Sequence, residues 1–199
     1  MDAYLQRLGF RKITTNPNLC IKIENYEPII ILLNVDDLLI TGIKEIIKEC
    51  KKLLAIEFDM KDLGLMHYYF GLEVWQEPNE IYPGQGKYVI EILKRFNTME
   101  CKPMTTPMIT NLKMLRNYES NPVDPTKYRH LIGSLMYLVN TQPDIYFAVN
   151  VLSKFQIEPR HDHWITTKHI LNICRKTVHY CLKYEKGKDV HLEGFTDSD

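Results

Sequence analysis

A chain of 199 residues with 45 % hydrophobic and 25 % charged positions carries enough apolar material for a real core and excludes a disordered tail. Lys+Arg and Asp+Glu number 25 each, so no global positive field draws the chain onto a polyanion. No stretch reaches the ~18 apolar residues of a membrane span, and Met1 to Phe10 lacks the long apolar run of a secretory signal.

Met1 to Phe10 reads as the end of a helix, with Tyr4, Leu5 and Leu8 on one side and Gly9 as the stop. Leu19 to Ile23 alternates apolar and polar residues, as a strand covered on one face does, and is expected to pair near the hairpin that follows. Pro28 to Leu33 then run into Asn34-Val35-Asp36-Asp37 and out through Leu38-Leu39-Ile40. That pattern predicts two buried strands joined by a tight turn. Two-residue hairpin loops require φ > 0 at a central residue, yet the centre here includes β-branched Val35. Local strain of ~1–3 kcal/mol is expected, the kind that persists where a site requires it.

Two adjacent carboxylates repel, and apolar flanks penalise their charge further, so a divalent cation is the least costly remedy. An all-oxygen donor set favours magnesium or manganese over zinc. Strand parity sends neighbouring side chains to opposite faces, so Asp36 and Asp37 are expected to be unequal ligands, one direct and one supporting. A further carboxylate from another segment is needed, since magnesium is usually held by one or two carboxylates together with substrate phosphates.

After Thr41, read as an N-cap, Ile43, Ile46, Ile47, Cys50, Leu53 and Leu54 recur at helical spacing and predict an amphipathic helix on the sheet. Tyr68 to Val74 reads as a strand in which Gly71 marks a bulge or a close backbone approach. Tyr88, Val89, Ile92, Leu93 and Phe96 form a second helical stripe. The Pro-rich passage from Cys101 to Pro125 marks a surface connection and a subdomain boundary. Beyond it Tyr128, Leu131, Ile132, Leu135, Met136 and Val139 predict a helix. Thr141-Gln142-Pro143-Asp144 reads as the cap and first turn of the next, and Trp164, Lys168, Leu171 and Cys174 as part of a third. The chain thus changes from mixed sheet and helix to mostly helix near residue 125.

From Val151 to His191, Lys154, Arg160, Lys168, Arg175, Lys176, Lys183, Lys186 and Lys188 outnumber Glu158, Asp162, Glu185 and Asp189. Such an excess can follow a nucleic-acid backbone, although lysines of this kind also simply solvate helix faces. Cys20, Cys50, Cys101, Cys174 and Cys181 form no Cys-x-x-Cys pair and read as reduced thiols in an intracellular setting. His161 and His163 ahead of Cys174 and Cys181 match no standard zinc-finger spacing.

The string from Tyr4-Leu5-Gln6-Arg7-Leu8-Gly9-Phe10 through Asn34-Val35-Asp36-Asp37-Leu38-Leu39-Ile40-Thr41-Gly42 resembles the reverse transcriptase of copia-type LTR retrotransposons, whose polymerase signature is Tyr-Val-Asp-Asp. Met60-Lys61-Asp62-Leu63-Gly64 and His67-Tyr68-Tyr69-Phe70-Gly71-Leu72-Glu73-Val74 are similar to the segment leading into that family's primer-grip hairpin. Cys101-Lys102-Pro103-Met104-Thr105-Thr106-Pro107-Met108 resembles its palm-to-thumb passage, and Tyr128 to Leu138 with Pro143-Asp144-Ile145 and Leu152-Ser153-Lys154-Phe155 its thumb-side helices. Gly194-Phe195-Thr196-Asp197-Ser198-Asp199 looks like the opening strand of its ribonuclease H domain.

The resemblance implies an α+β fold, an antiparallel palm-like sheet with packed helices followed by a mostly helical thumb-like region. It places a partial palm at 1–100, a connection at 101–127, a helical thumb-like region at 128–190 and a first ribonuclease H strand at 191–199. By the same resemblance Asp36 and Asp37 are metal-binding and catalytic, with Mg2+ or Mn2+ as cofactor, and Lys61 is a general acid for the departing pyrophosphate. Asn34, Tyr69, Phe70 and Gly71 would meet the primer, and Asp197 is the first ribonuclease H carboxylate. The implied partners are an RNA template, a DNA primer, a deoxynucleoside triphosphate and the remainder of a polyprotein. Two departures stand out. Asn34 replaces the signature aromatic, exchanging stacking area for a polar contact, and the fingers and first catalytic aspartate are expected to precede Met1. The isolated chain is therefore expected to be inactive, the alternative being a non-catalytic nucleic-acid-binding or decayed transposon remnant.

Overall fold

The computed structural model describes residues 1–100 and 120–187, and the chain divides into two compact units, Met1–Gly64 and Leu65–Asp199. Cys101–Met108, Lys188, Asp189, His191 and the strand expected at Gly194–Asp199, with Asp197, lie outside the described residues.

In the first unit α1 (Asp2–Arg7) stops where Gly9, at φ +87°, takes a left-handed conformation open to glycine at little cost. Four antiparallel strands follow in the order β1 (Arg11–Ile13), β2 (Asn16–Glu24), β3 (Glu27–Asn34) and β4 (Asp37–Thr41). The strand expected around Leu19–Ile23 is the middle of β2, and Leu19 pairs with Leu32 on β3. Helix α2 (Lys44–Glu57) covers the sheet with Cys50 and Leu54, which join Leu5, Phe10, Cys20, Ile29 and Ile31 in one core. Each fully buried aliphatic side chain there is worth about 1.5–3 kcal/mol. Tyr4 fastens α1 to α2: its hydroxyl donates to the Leu53 carbonyl at 2.9 Å and its ring meets Phe58 edge-on at 5.3 Å. Thr41 does not cap α2, as the sequence suggested. It is still in the ladder opposite Ile30, and the N-cap position falls to Ile43, which makes no side-chain cap.

The second unit opens with another antiparallel sheet in the order β5 (Tyr68–Tyr69), β6 (Leu72–Glu77), β7 (Glu80–Gly84) and β8 (Tyr184–Glu185). The single strand read over Tyr68–Val74 is in fact a hairpin. Tyr69 pairs with Leu72, so Gly71 is a turn residue and not a bulge. Phe70 at φ +48° and Gly71 at φ +81° supply the two left-handed positions that a tight two-residue hairpin turn requires.

Helices α3 (Gly86–Arg95), α4 (Pro125–Leu138), α5 (Tyr146–Ser153) and α6 (His161–Lys176) enclose a second core. The predicted apolar stripes are its contents: Val89, Ile92 and Leu93 meet Tyr128, Leu131, Leu135, Leu152, Ile170, Leu171 and Cys174. Asp124 caps α4 by accepting from the Thr126 amide at 2.8 Å, and Pro125 occupies the first turn, where its missing N–H costs nothing. The turn expected at Thr141–Asp144 is a short 3-10 segment, Pro143–Ile145, that leads into α5.

Candidate functional site

The ladder between β3 and β4 ends on the pair Asn34 and Asp37, which leaves Val35 and Asp36 as a two-residue loop. Val35 sits at φ +50° with 98 % of its surface exposed, so a β-branched side chain is held in the left-handed region with no packing to compensate. The expected strain is therefore present. The expected burial is not: Asp36 and Asp37 are both exposed, because the half-buried residues of the hairpin are Leu38, Leu39 and Ile40 behind them.

Both carboxylates line one cavity of about 510 Å³, together with Met1, Asp2, Lys12 and Asn18 and with apolar walls from Leu33, Leu38 and Met60. Strand parity does not separate the pair, since Asp36 belongs to the loop and only Asp37 to the strand. Asp2, the third carboxylate of this cavity, is ion-paired with Lys12. Asp36 and Asp37 make no ion pair with any described residue. Two neighbouring all-oxygen donors without a protein cation fit a hard divalent ion as part of its shell. Among the described residues no group of three or more His, Cys, Asp or Glu side chains is placed to hold a metal.

The other predicted residues do not line this cavity. Asn34 is half-buried and does not line the cavity, and Lys61 is exposed one position after Met60, which does. Beside Lys61, Asp62 accepts from Lys51 Nζ at 2.7 Å and from the Gly64 amide at 2.9 Å, contacts that hold its carboxyl below the usual carboxylate range. Tyr69, Phe70 and Gly71 belong to the second unit, at the β5–β6 turn. Phe70 is 60 % exposed, and Tyr68 is also exposed, with Lys87 Nζ 5.4 Å from its ring centroid.

The basic excess after Val151 is smaller in space than along the chain. Arg160 pairs with Glu158, and Lys183 lies 2.7 Å from both Glu80 and Glu185. His163 is buried, stacked on Phe155 at 3.9 Å, with its Nδ1 accepting from the Arg160 amide at 3.0 Å. Burial pushes the Cys174 thiol up to about 12, an inert core position; Cys20, Cys50 and Cys181 are also free thiols. No helix of the described residues is long and apolar enough to cross a membrane.

Sequence reasoning missed Asp2, at the start of α1, and Lys12, on β1, as residues of the cavity wall; β1 spans only three residues, Arg11–Ile13, too few to register as a period. It also missed Tyr137 beneath the β5–β6 turn. Tyr137 donates to the Phe70 carbonyl from 67 positions away, and no local pattern announces such a contact.

Residues 1–110 match the family model described as reverse transcriptase (RNA-dependent DNA polymerase). The whole chain is 33 % identical over 200 residues to the retrovirus-related Pol polyprotein from transposon RE2 of Arabidopsis thaliana, of which it covers 14 %. It is 35 % identical over 211 residues to the corresponding polyprotein from transposon TNT 1-94 of Nicotiana tabacum, covering 16 % of that protein. An uncharacterised mitochondrial protein of Arabidopsis thaliana is 34 % identical over 170 residues, 85 % of this chain and 70 % of its own length. No solved structure matches. The chain belongs to the reverse transcriptase family, as the region found in copia-type retrotransposon Pol polyproteins. It spans about one seventh of the polyproteins it matches.

Proposed function

We propose that the Asp36–Asp37 loop is one part of the nucleotidyl-transfer site of an RNA-directed DNA polymerase that uses Mg2+ or Mn2+. The observation that carries this reading is that both carboxylates face one cavity unpaired, while Asp2 in the same cavity is already neutralised by Lys12. Asp36 and Asp37 would hold the ion. When bound, it offsets charge on the attacking and leaving oxygens of an in-line displacement at phosphorus. The substrates on this reading are an RNA template, a DNA primer and a deoxynucleoside triphosphate. Asn34 and the Tyr69–Gly71 turn would meet the primer, and Lys61 would supply a proton to the departing pyrophosphate.

We further propose that this chain does not polymerise by itself. Two carboxylates leave the site short of the acidic ligands such chemistry uses, and losing charge stabilisation of this kind removes most of the rate. Among the described residues no strand pairs with the outer edge of β4, and three consecutive aliphatics, Leu38–Ile40, stand half-buried on it without a lysine or proline to blunt it. A strand contributed by the remainder of a polyprotein fits that edge and would bring the missing carboxylate.

Primer extension on an RNA–DNA hybrid tests this. The purified chain is expected to incorporate nothing with either ion. Template-dependent incorporation that Asp36→Asn abolishes would overturn the proposed inactivity, and incorporation untouched by Asp36→Asn would overturn the site.

A further inference from the structure

We infer that Tyr137 is a positioning residue for the primer-contacting turn, and that the fold presents Phe70 to nucleic acid by pinning that turn from α4. The inference rests on the reading above that Tyr69–Gly71 meets a primer. The turn by itself is a poor one. A bulky aromatic at φ +48° is disfavoured by Cβ sterics, and the Phe70 ring, 60 % exposed, meets Tyr69 edge-on at 4.5 Å within the hairpin. The backbone of the turn is held in addition from outside the hairpin, by α4. The Tyr137 hydroxyl donates to the Phe70 carbonyl, and its ring is fixed in turn by an edge-on contact with Tyr88 at 5.0 Å.

Gly71 completes the fit. A Cβ there would meet Tyr137 Oη at 3.3 Å and its ring at 3.4 Å, so the close approach of α4 and the left-handed backbone select glycine for two independent reasons. Just past the C-terminal end of α4, Thr141 donates its hydroxyl at 2.8 Å to Gln85, which is 1 % exposed, a buried polar contact that ties this end of the helix to the residue before α3. A hydrogen bond to a strained, exposed turn is worth more to geometry than to global stability. Removing it frees the ring of Phe70 to wander, and a base-stacking side chain that must first be ordered binds more weakly.

The test uses the full chain, wild type against Tyr137→Phe and Phe70→Ala, with fluorescence-anisotropy titration of an RNA–DNA hybrid and amide hydrogen exchange. Tyr137→Phe keeps the ring against Tyr88 and is expected to retain the wild-type melting temperature. It should weaken hybrid binding roughly three- to ten-fold, approaching the loss in Phe70→Ala, and speed exchange at Phe70–Leu72. The salt dependence should not change, because no phosphate contact is removed. In the wild type, added hybrid should slow exchange at the same residues, a readout that needs no variant to fold. Weak binding by Phe70→Ala with wild-type binding by Tyr137→Phe overturns this inference alone. Wild-type binding by Phe70→Ala, or unchanged exchange on adding hybrid, overturns the primer-contact reading and this inference with it.

Discussion

Lys183 Nζ lies 2.7 Å from Glu80 Oε1, and that contact ties the C-terminal edge of the second sheet to β7; the same nitrogen is 2.7 Å from Glu185 Oε1 on β8 itself. The two-residue strand is otherwise held by its ladder with β7, Glu80 opposite Glu185 and Ile81 opposite Tyr184, and by the Leu182 amide on the Pro83 carbonyl and the Lys186 amide on the Asn79 carbonyl. Lys183→Met should therefore speed hydrogen exchange at Leu182 and Lys186 without unfolding the helices. Unchanged exchange would show that the backbone contacts suffice.

The same cluster sets a pH window. The Lys183 hydrogen bond, and after it that of Tyr82, hold the Glu80 carboxyl below its ordinary value. Glu185 first and Glu80 second raise Lys183 above its own. A depressed carboxylate contributes above its unfolded value and is lost as pH falls through the folded one; a raised lysine contributes below its unfolded value and is lost as pH rises through the folded one. The hold on β8 should thus span neutral pH and fail in acid. In Lys183→Met, carboxyl NMR should show Glu80 titrating upward toward an ordinary carboxylate.

Tyr128 is fully buried, with its hydroxyl donating to the Leu152 carbonyl at 2.9 Å and accepting from Thr167 at 3.4 Å. Tyr128→Phe should cost about 1 kcal/mol in denaturant unfolding, and Tyr128→Ala about 3–5 kcal/mol through the cavity it leaves. Burial pushes the phenol up to about 12. The folded state keeps a proton that the unfolded chain releases above about pH 10. Stability should fall as pH rises from there through the folded value, and Tyr128→Phe should flatten that fall.

Gly86 begins α3 where a Cβ would lie 2.8 Å from the Val178 carbonyl oxygen and 3.2 Å from Glu73 Oε2. A backbone oxygen yields less readily than a flexible side chain, so Gly86→Ala should destabilise the second unit by about 1–3 kcal/mol. Val35→Gly should act in the other direction, relieving a left-handed valine that packs against nothing, by about 1 kcal/mol in the stability of the first unit. Denaturant midpoints of the two variants check both signs.

Much of this fold could be read from periodicity. The stripes of α2, α3 and α4 and the β3–β4 hairpin follow directly from apolar spacing, and Val35 at the loop centre was legible because β-branched residues are so poorly suited there. What periodicity could not give was anything set by tertiary pairing. Thr41 looks like a cap until Ile30 claims it for the ladder, and Gly71, read as a bulge or a close backbone approach, is a turn residue because Tyr69 pairs with Leu72, with the Tyr137 side chain as its close neighbour. At the candidate site, the sequence placed Asp36 and Asp37 at the tip of the hairpin and overestimated their burial, since a run of aliphatics predicts a covered strand but not which end of it protrudes. The Asp2–Lys12 pair and Tyr137 come from segments far along the chain or too short to show a period, so only the folded chain reveals them.

The most direct test of the central claim, that the Asp36–Asp37 loop is a cradle for a divalent ion, is Mn2+ binding followed by the electron paramagnetic resonance signal of the free ion. The wild-type chain should take up one ion with a Kd on the order of a millimolar. Asp36→Asn and Asp37→Asn should each weaken it by roughly ten-fold or more. Wild-type affinity in the double variant, or no uptake by the wild type at any concentration that leaves the chain folded, would contradict the account.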